Sequence, residues 1–184
     1  MKPTEELSHE HQAILTMIGI LGKMADGLDA GAAVAPDDLE DAVAFIRVFA
    51  DKCHHGKEEG LLFPEMEKAG IPRDRGPIGV MLSDHAEGRK HVAAMAGALP
   101  GIRKADRKAA AAFASAARGY GELLTQHIFK EDNILYPMAD ARLSPDQQTS
   151  LEACFADVEK TVVGEGKHEE FHRLLERLEK AYPA

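Results

Sequence analysis

The 184-residue chain predicts an all-α fold: an up-down-up-down four-helix bundle over residues 1–142, with a C-terminal helical extension over 143–184 packed on it. Three observations lead there. The composition is rich in Ala, Leu, Glu, Lys and Met, the strong helix formers. No run alternates apolar and β-branched residues in the way an exposed strand would. Breaks containing Gly and Pro divide the chain into long segments, joined by short loops as a helix bundle requires.

The first segment runs from about Thr4 to Leu28, with Leu7, Ile14, Ile18 and Leu21 on one stripe. GAAVAPDD interrupts it and restarts a helix with Pro36 in its first turn, followed by two acids that suit the positive end of a helix. This second helix reaches about Lys68 and stops at AGIPRDRGP. Pro77 opens the third, expected to end near Ala98, before LPG. A fourth is expected from about Lys104 to Ala139. SPDQ, from Ser144, supplies a cap and an early proline for a fifth. GEG at 164–166 ends that segment, and the last helix carries Phe171, Leu174, Leu175 and Leu178 on one face.

Bulk properties narrow the partners. With 45% apolar and 29% charged residues, the chain reads as soluble and globular. A formal net charge of −9 leaves no basic stripe, which argues against nucleic acid and against an anionic membrane surface. The N-terminal MKPTEELSHEHQ has no apolar h-region, no apolar run approaches membrane-spanning length, and Cys53 and Cys154 make no disulfide framework. The expectation is a cytoplasmic protein. The acidic surface favours a monomer, and the protein partner is left open.

An internal repeat carries the chemistry. HHGKEEGLLFP (54–64) is echoed by HIFKEDNILYP (127–137), pairing His54 with His127, Lys57 with Lys130, Glu58 with Glu131, Leu62 with Leu135, Phe63 with Tyr136 and Pro64 with Pro137. EHQAI, with His11, is echoed by DHAEG, with His85, and the intervals His11–His85 and His54–His127 agree to within one residue. The bundle thus reads as two copies of one hairpin, each offering a lone His and then His-x-x-x-Glu. Residues four apart share a helix face, so His54 with Glu58, and His127 with Glu131, can reach one ion. Four imidazoles and two carboxylates suit two metal ions, with the glutamates able to bridge them. Mixed nitrogen and carboxylate donors favour iron, manganese or zinc over magnesium or calcium, and a redox-active pair makes iron the leading choice.

A single His-x-x-x-Glu is usually a solvated pair, and its repetition is what changes the weight. The expected ligands also lie on apolar stripes: His11 beside Leu7, Ile14 and Ile18; His85 beside Ile78, Met81, Leu82 and Val92; His127 beside Leu123, Leu124 and Ile134. Buried there without partners, they would be costly. His55 with Glu59 has the same spacing, but the repeat aligns His55 with Ile128, so this pair is placed on the flank or just outside the ligands.

EH in the first helix, HHGKEEGLLFP in the second, GPIGVMLSDHAEGRKH in the third and HIFKEDNILYP in the fourth resemble the hemerythrin-like family, also called the HHE cation-binding domain. The resemblance spans roughly residues 5–140. It implies a four-helix bundle with two non-haem Fe ions, bridged by carboxylate and compatible with an oxo bridge. Its ligand positions fall on His11, His54, Glu58, His85, His127 and Glu131. The fifth histidine of oxygen-carrying hemerythrins would stand where this chain has Arg89, and Asp132 has the spacing of their last carboxylate, although the repeat favours Glu131. The four-His, two-Glu set is closer to the branch containing iron–sulfur-cluster repair proteins and the proteins linked to nitric oxide or peroxide. The function so implied is binding or processing of O2, NO or peroxide in oxygen, nitrosative or oxidative stress. Di-iron peroxidase, catalase or NO reductase turnover is an open question. The alternatives are an iron-storage, iron-donor or sensing module, or a structural metal-binding bundle.

Around these positions, Tyr120 reads first as core packing and second as a donor in a cavity. Gly88 either leaves room for a small ligand or permits close helix packing. Met81, Met95 and Cys53 read as core. Glu10 and Asp84, each preceding a ligand histidine, are either supporting acceptors or solvated acids. His168 and His172 have half-site spacing without a third ligand and stay outside the expected site.

Overall fold

A computed structural model describes residues 1–164 and 166–183; the side chain of His168 lies outside the described set. Among the described residues there are helices and no strand. Helix α1 spans Pro3–Asp29 and begins with a proline in its first turn, while Glu5 accepts a hydrogen bond from the Lys2 amide. Helix α2 (Pro36–Phe45) continues without a break through widened π-helical turns at Ile46–His55 and Glu58–Leu62 into α3 (Phe63–Lys68). Helix α4 spans Pro77–Ile102. Helix α5 (Arg107–Lys130) likewise continues through a π-helical turn at Glu131–Leu135 into α6 (Tyr136–Arg142). Helix α7 (Pro145–Val158), capped by Ser144 with Gln147, and α8 (Lys167–Ala181) complete the chain.

These elements form the expected bundle, in which α5 packs against both α1 and α4 and the 36–68 helix closes the ring between them. No described helix is long and apolar enough to cross a membrane. Two expected boundaries move. Helix α4 runs past Ala98 to Ile102 with Pro100 inside its last turn, where the missing N–H forgoes only one late bond. The fourth long helix starts at Arg107 rather than Lys104. Ala105 is left-handed (φ 58°), and Asp106 then caps the helix by accepting from the Lys108 amide at 2.8 Å.

The repeat is written into the backbone as well. Each copy opens into a π-helical turn beginning at its glutamate, with the Phe63 amide bonding back to Glu58 and the Tyr136 amide to Glu131. Both turns end just before a proline, whose ring would collide with the carbonyl four residues back in a tight α-helix. The extra residue shifts the helix phase. Ile134, expected on the His127 stripe, is therefore 52% exposed, while Leu135 is buried; in the other copy Leu62 is buried.

The apolar core has two parts. One gathers Ile14, Met17, Leu21, Val92, Met95, Phe113 and Tyr120, and receives Leu175 and Leu178 from α8. The other gathers Leu7, Leu62, Phe63, Ile78, Met81, Leu135 and Tyr136, and receives Leu151 and Phe155 from α7. The polar layer described below lies between them. Cys53 is buried, and burial pushes its thiol up to about 12, as befits a packing residue. A potential cation cluster of Glu10, Cys53 and Glu159 is already served by the ammonium of Lys57.

Candidate metal centre

All six expected ligands converge in the bundle interior. His11 comes from α1, His54 and Glu58 from the 36–68 helix, His85 from α4, and His127 and Glu131 from the end of α5. All six are buried. His11 Nε2 faces His54 Nε2 at 3.1 Å, and His85 Nε2 faces His127 Nε2 at the same distance. The glutamates lie between the two histidine pairs. Glu131 reaches His127 Nε2 at 3.0 Å through Oε1 and His11 Nε2 at 3.2 Å through Oε2. Glu58 Oε2 is 3.4 Å from His85 Nε2 and 3.8 Å from His54 Nε2.

Each ring is held from outside by a carboxylate. His11 Nδ1 donates to Asp132 at 2.9 Å, His54 Nδ1 to Glu10 at 2.8 Å, His85 Nδ1 to Glu59 at 2.7 Å and His127 Nδ1 to Asp84 at 3.3 Å. A neutral imidazole with its proton pinned at Nδ1 presents a lone pair at Nε2. Four such lone pairs therefore point into one chamber. Every outer acid is itself held: Asp132 by Ser8, Glu10 by Lys57, Glu59 by Arg89 and Asp84 by Lys130.

The orienting acids were half legible. Glu10 and Asp84 do support expected ligands, but not their sequence neighbours: Glu10 holds His54, and Asp84 holds His127. Adjacent residues on a helix point about 100° apart, so an acid beside an inward ligand faces the next helix. The same rule gives Glu59, beside Glu58, and Asp132, beside Glu131. Glu59 takes the outer of the two places read for it, and the missed signal, which also gives Asp132, was an acid adjacent to one expected ligand on every helix. Tyr136 was missed as well. Its hydroxyl donates to Glu58 Oε1 at 2.7 Å, and its ring stacks on His11. Arg89, standing where a fifth histidine would be, braces Glu59 and Asp51 instead. The ring of His91 lies against Gly119 on α5, and His172 lines a cleft with His9, Glu10 and Glu159.

His55, placed by the repeat on the flank or just outside the ligands, is buried. Its ring stacks on His85 with centroids 3.9 Å apart. Its ligand-capable atoms group with those of Glu58, His85 and His127, while His11, His54 and Glu131 form a second group.

The electrostatics suit a cation. Glu58 Oε2 and both carboxylate oxygens of Glu131 are buried without a hydrogen bond, an arrangement that leaves charge uncompensated unless something positive occupies the layer. Without an ion, protons take that part. Burial opposes charge on His11, but Asp132 and Glu131 outweigh it and raise its pKa to about 9. Burial likewise opposes charge on His127, which Glu131 and Asp84 raise to about 9. Burial works against ionised Glu58, yet His54 and His85 hold it well below the usual carboxylate range. His55 differs: burial, then the neighbouring His85, lowers it to about 4. The donor set and the orphaned oxygens together fit nitrogen- and oxygen-loving transition metals.

A helical bundle with a buried layer of histidines and bridging glutamates defines a metal-binding protein. The chain matches the hemerythrin HHE cation-binding domain over residues 2–139, and it belongs to that family. It is also 24% identical over 161 residues to an uncharacterized protein of Mycobacterium bovis and to uncharacterized proteins of two Mycobacterium tuberculosis strains. The match covers 88% of this chain and 62% of each relative, so the chain spans less than two thirds of the length of those curated relatives. No solved structure gives a significant match.

Proposed function

We propose that the chain is a non-haem di-iron protein that binds or processes a small molecule of the O2, NO or peroxide class in the cell's handling of oxygen, nitrosative or oxidative stress. The observation carrying this reading is the convergence of four outward-pinned histidines on glutamate oxygens that have no other partner. His11, His54 and Glu131 would hold one ion; His85, His127 and Glu58 would hold the other. Bound iron would supply redox chemistry and open positions for an exogenous ligand. The chain's own residues do the rest. Glu58 and Glu131 reach both histidine pairs and so would hold both ions. Asp132, Glu10, Glu59 and Asp84 keep each imidazole in its ligating tautomer, and the two apolar core clusters exclude water from either side.

The stress role draws on the resemblance to the four-His, two-Glu branch and on membership of the cation-binding family. The test is iron content after substitution of the glutamates. Glu58→Ala and Glu131→Ala should each abolish stoichiometric iron while leaving the helical circular dichroism in place. Iron retained near the wild-type level in both variants would sink the ligand assignment.

A further inference from the structure

Beside the metal layer lies a cavity of about 260 Å³, lined among others by Ile46, Asp51, His55, Gly88, Arg89 and Tyr120. Two features distinguish it from a packing defect. The Tyr120 hydroxyl is fully buried and has no hydrogen-bond partner; an orphaned phenol of this kind is destabilising unless a guest satisfies it. The partition between cavity and metal layer is the ring of His55, stacked on His85 and 6.0 Å from the ring of His127. The His55 ring also lies 5.7 Å from that of His54, but the α4 and α5 wall belongs to the His85–His127 half. Tyr120 lies two turns before His127 on α5, and Gly88 lies one turn after His85 on α4. A side chain at Gly88 would approach Leu124 to 3.3 Å and Tyr120 to 3.7 Å, so the glycine both allows the helices to close and keeps this wall thin. At the rim, Arg89 is paired with Asp51 and Glu59, and Glu59 in turn holds His85.

We infer that this cavity is the subsite for the exogenous small molecule. It seats a hydrogen-bond acceptor of a few heavy atoms against the Tyr120 hydroxyl, beside the His85–His127 half of the centre. The inference rests on the metal-centre reading above and adds which half is approached and which residue recognises the guest. Ile46, Val92 and Ala93 give apolar wall, while Arg47 and Arg89 add cationic donors to the Tyr120 phenol, so the lining suits a compact acceptor, a small anion included. A second cavity, lined by Ser8, Asp132, Tyr136 and Ala141, lies on the His11 side and offers the competing route.

The test uses the iron-loaded chain with azide as probe, its affinity measured by isothermal titration calorimetry, and iron per chain measured on every sample. Tyr120→Phe removes only the hydroxyl. Ala93→Phe adds bulk at an exposed position on the cavity wall, and Ala141→Phe does the same at the opposite cavity. With iron per chain unchanged, azide should bind about fivefold more weakly to Tyr120→Phe, matching the loss of one hydrogen bond. It should bind at least as much more weakly to Ala93→Phe and normally to Ala141→Phe. Unchanged affinity in both Tyr120→Phe and Ala93→Phe, or weakening by Ala141→Phe alone, would overturn the inference and leave the metal centre standing. Wild-type protein that takes up no iron would instead bring down the metal-centre reading and this subsite with it.

Discussion

Lys57 and Lys130 occupy the same place in the repeat, yet the structure gives them different weight. The side chain of Lys57 is fully buried, with Nζ 2.6 Å from Glu10, 2.7 Å from Glu6 and 2.7 Å from Glu159. Lys130 is 34% exposed and meets one partly exposed acid, Asp84. Lys57→Met keeps the bulk and removes the charge, leaving Glu10, only 6% exposed, with His54 alone. Glu6 and Glu159 are each 32% exposed and recover water in place of the ammonium, so their share is small. Breaking a buried ion pair by removing one partner costs about 3–5 kcal/mol. For a chain of this size each kcal/mol moves Tm by about 2–4 °C, so the expected loss is roughly 6–20 °C. Lys130→Met should lose about 1 kcal/mol, or roughly 2–4 °C. The assay is thermal unfolding by far-ultraviolet circular dichroism on metal-free protein at pH 7, because bound metal would add its own stabilisation. A Lys57→Met shift no larger than that of Lys130→Met would refute the claim that this ammonium anchors the layer behind His54.

Other expected outcomes are independent of that one. His11 and His127, each raised to about 9, contribute stability to the metal-free protein fully below about pH 6.5, the unfolded histidine value. That contribution is lost as pH rises through 9, so metal-free Tm should fall between pH 7 and 9.5; a flat or rising Tm there would contradict the assignment. His55 has the opposite sign: lowered to about 4, its contribution is present above about pH 6.5 and disappears as pH falls through 4. His55→Phe should therefore reduce the steepness of acid unfolding, read from the pH midpoint. Metal uptake at pH 7 should release protons, measurable in weakly buffered titration, because ions displace the protons on His11 and His127. Tyr136→Phe strips Glu58 Oε1 of its donor and should weaken metal affinity about 10–100-fold, as loss of an outer partner does; a competition titration with a chelator reads this directly. Gly101→Ala would set a Cβ 2.5 Å from that of Ala109, forcing α4 and α5 apart at a cost of about 1–3 kcal/mol in urea unfolding.

Much of this architecture was legible because two periodicities agree in the sequence. The Gly/Pro breaks delimit the four long helices, and the doubled His-x-x-x-Glu marks which faces turn inward. The structure brings all six marked side chains together. What escaped reading is what depends on the next helix along. That Glu10 serves His54 rather than His11 follows from bundle packing, which no local window contains. The π-helical turns were hidden for a related reason. Their widened hydrogen bonding shows in the sequence only as a proline inside an otherwise helical stretch, which reads as a kink or an end. Missing them put Ile134 on the wrong face. For His55 the repeat left the flank and a place just outside the ligands open, because its stacking on His85 depends on α4, which no local window contains. Lys57 was visible as a repeated residue, but its burial depends on Glu159 and Phe155, which arrive from the C-terminal extension.

The central claim is that the layer between the two core clusters holds a pair of iron ions, and the most direct measurement is metal content per chain on freshly purified protein. The near-ultraviolet spectrum should be recorded on the same sample. The account requires close to two irons per chain, with ferric charge-transfer absorption that is lost in Glu58→Ala and Glu131→Ala. Zinc in place of iron, or no metal after reconstitution with ferrous iron under anaerobic conditions, would contradict it and reduce the twice-written motif to a structural site.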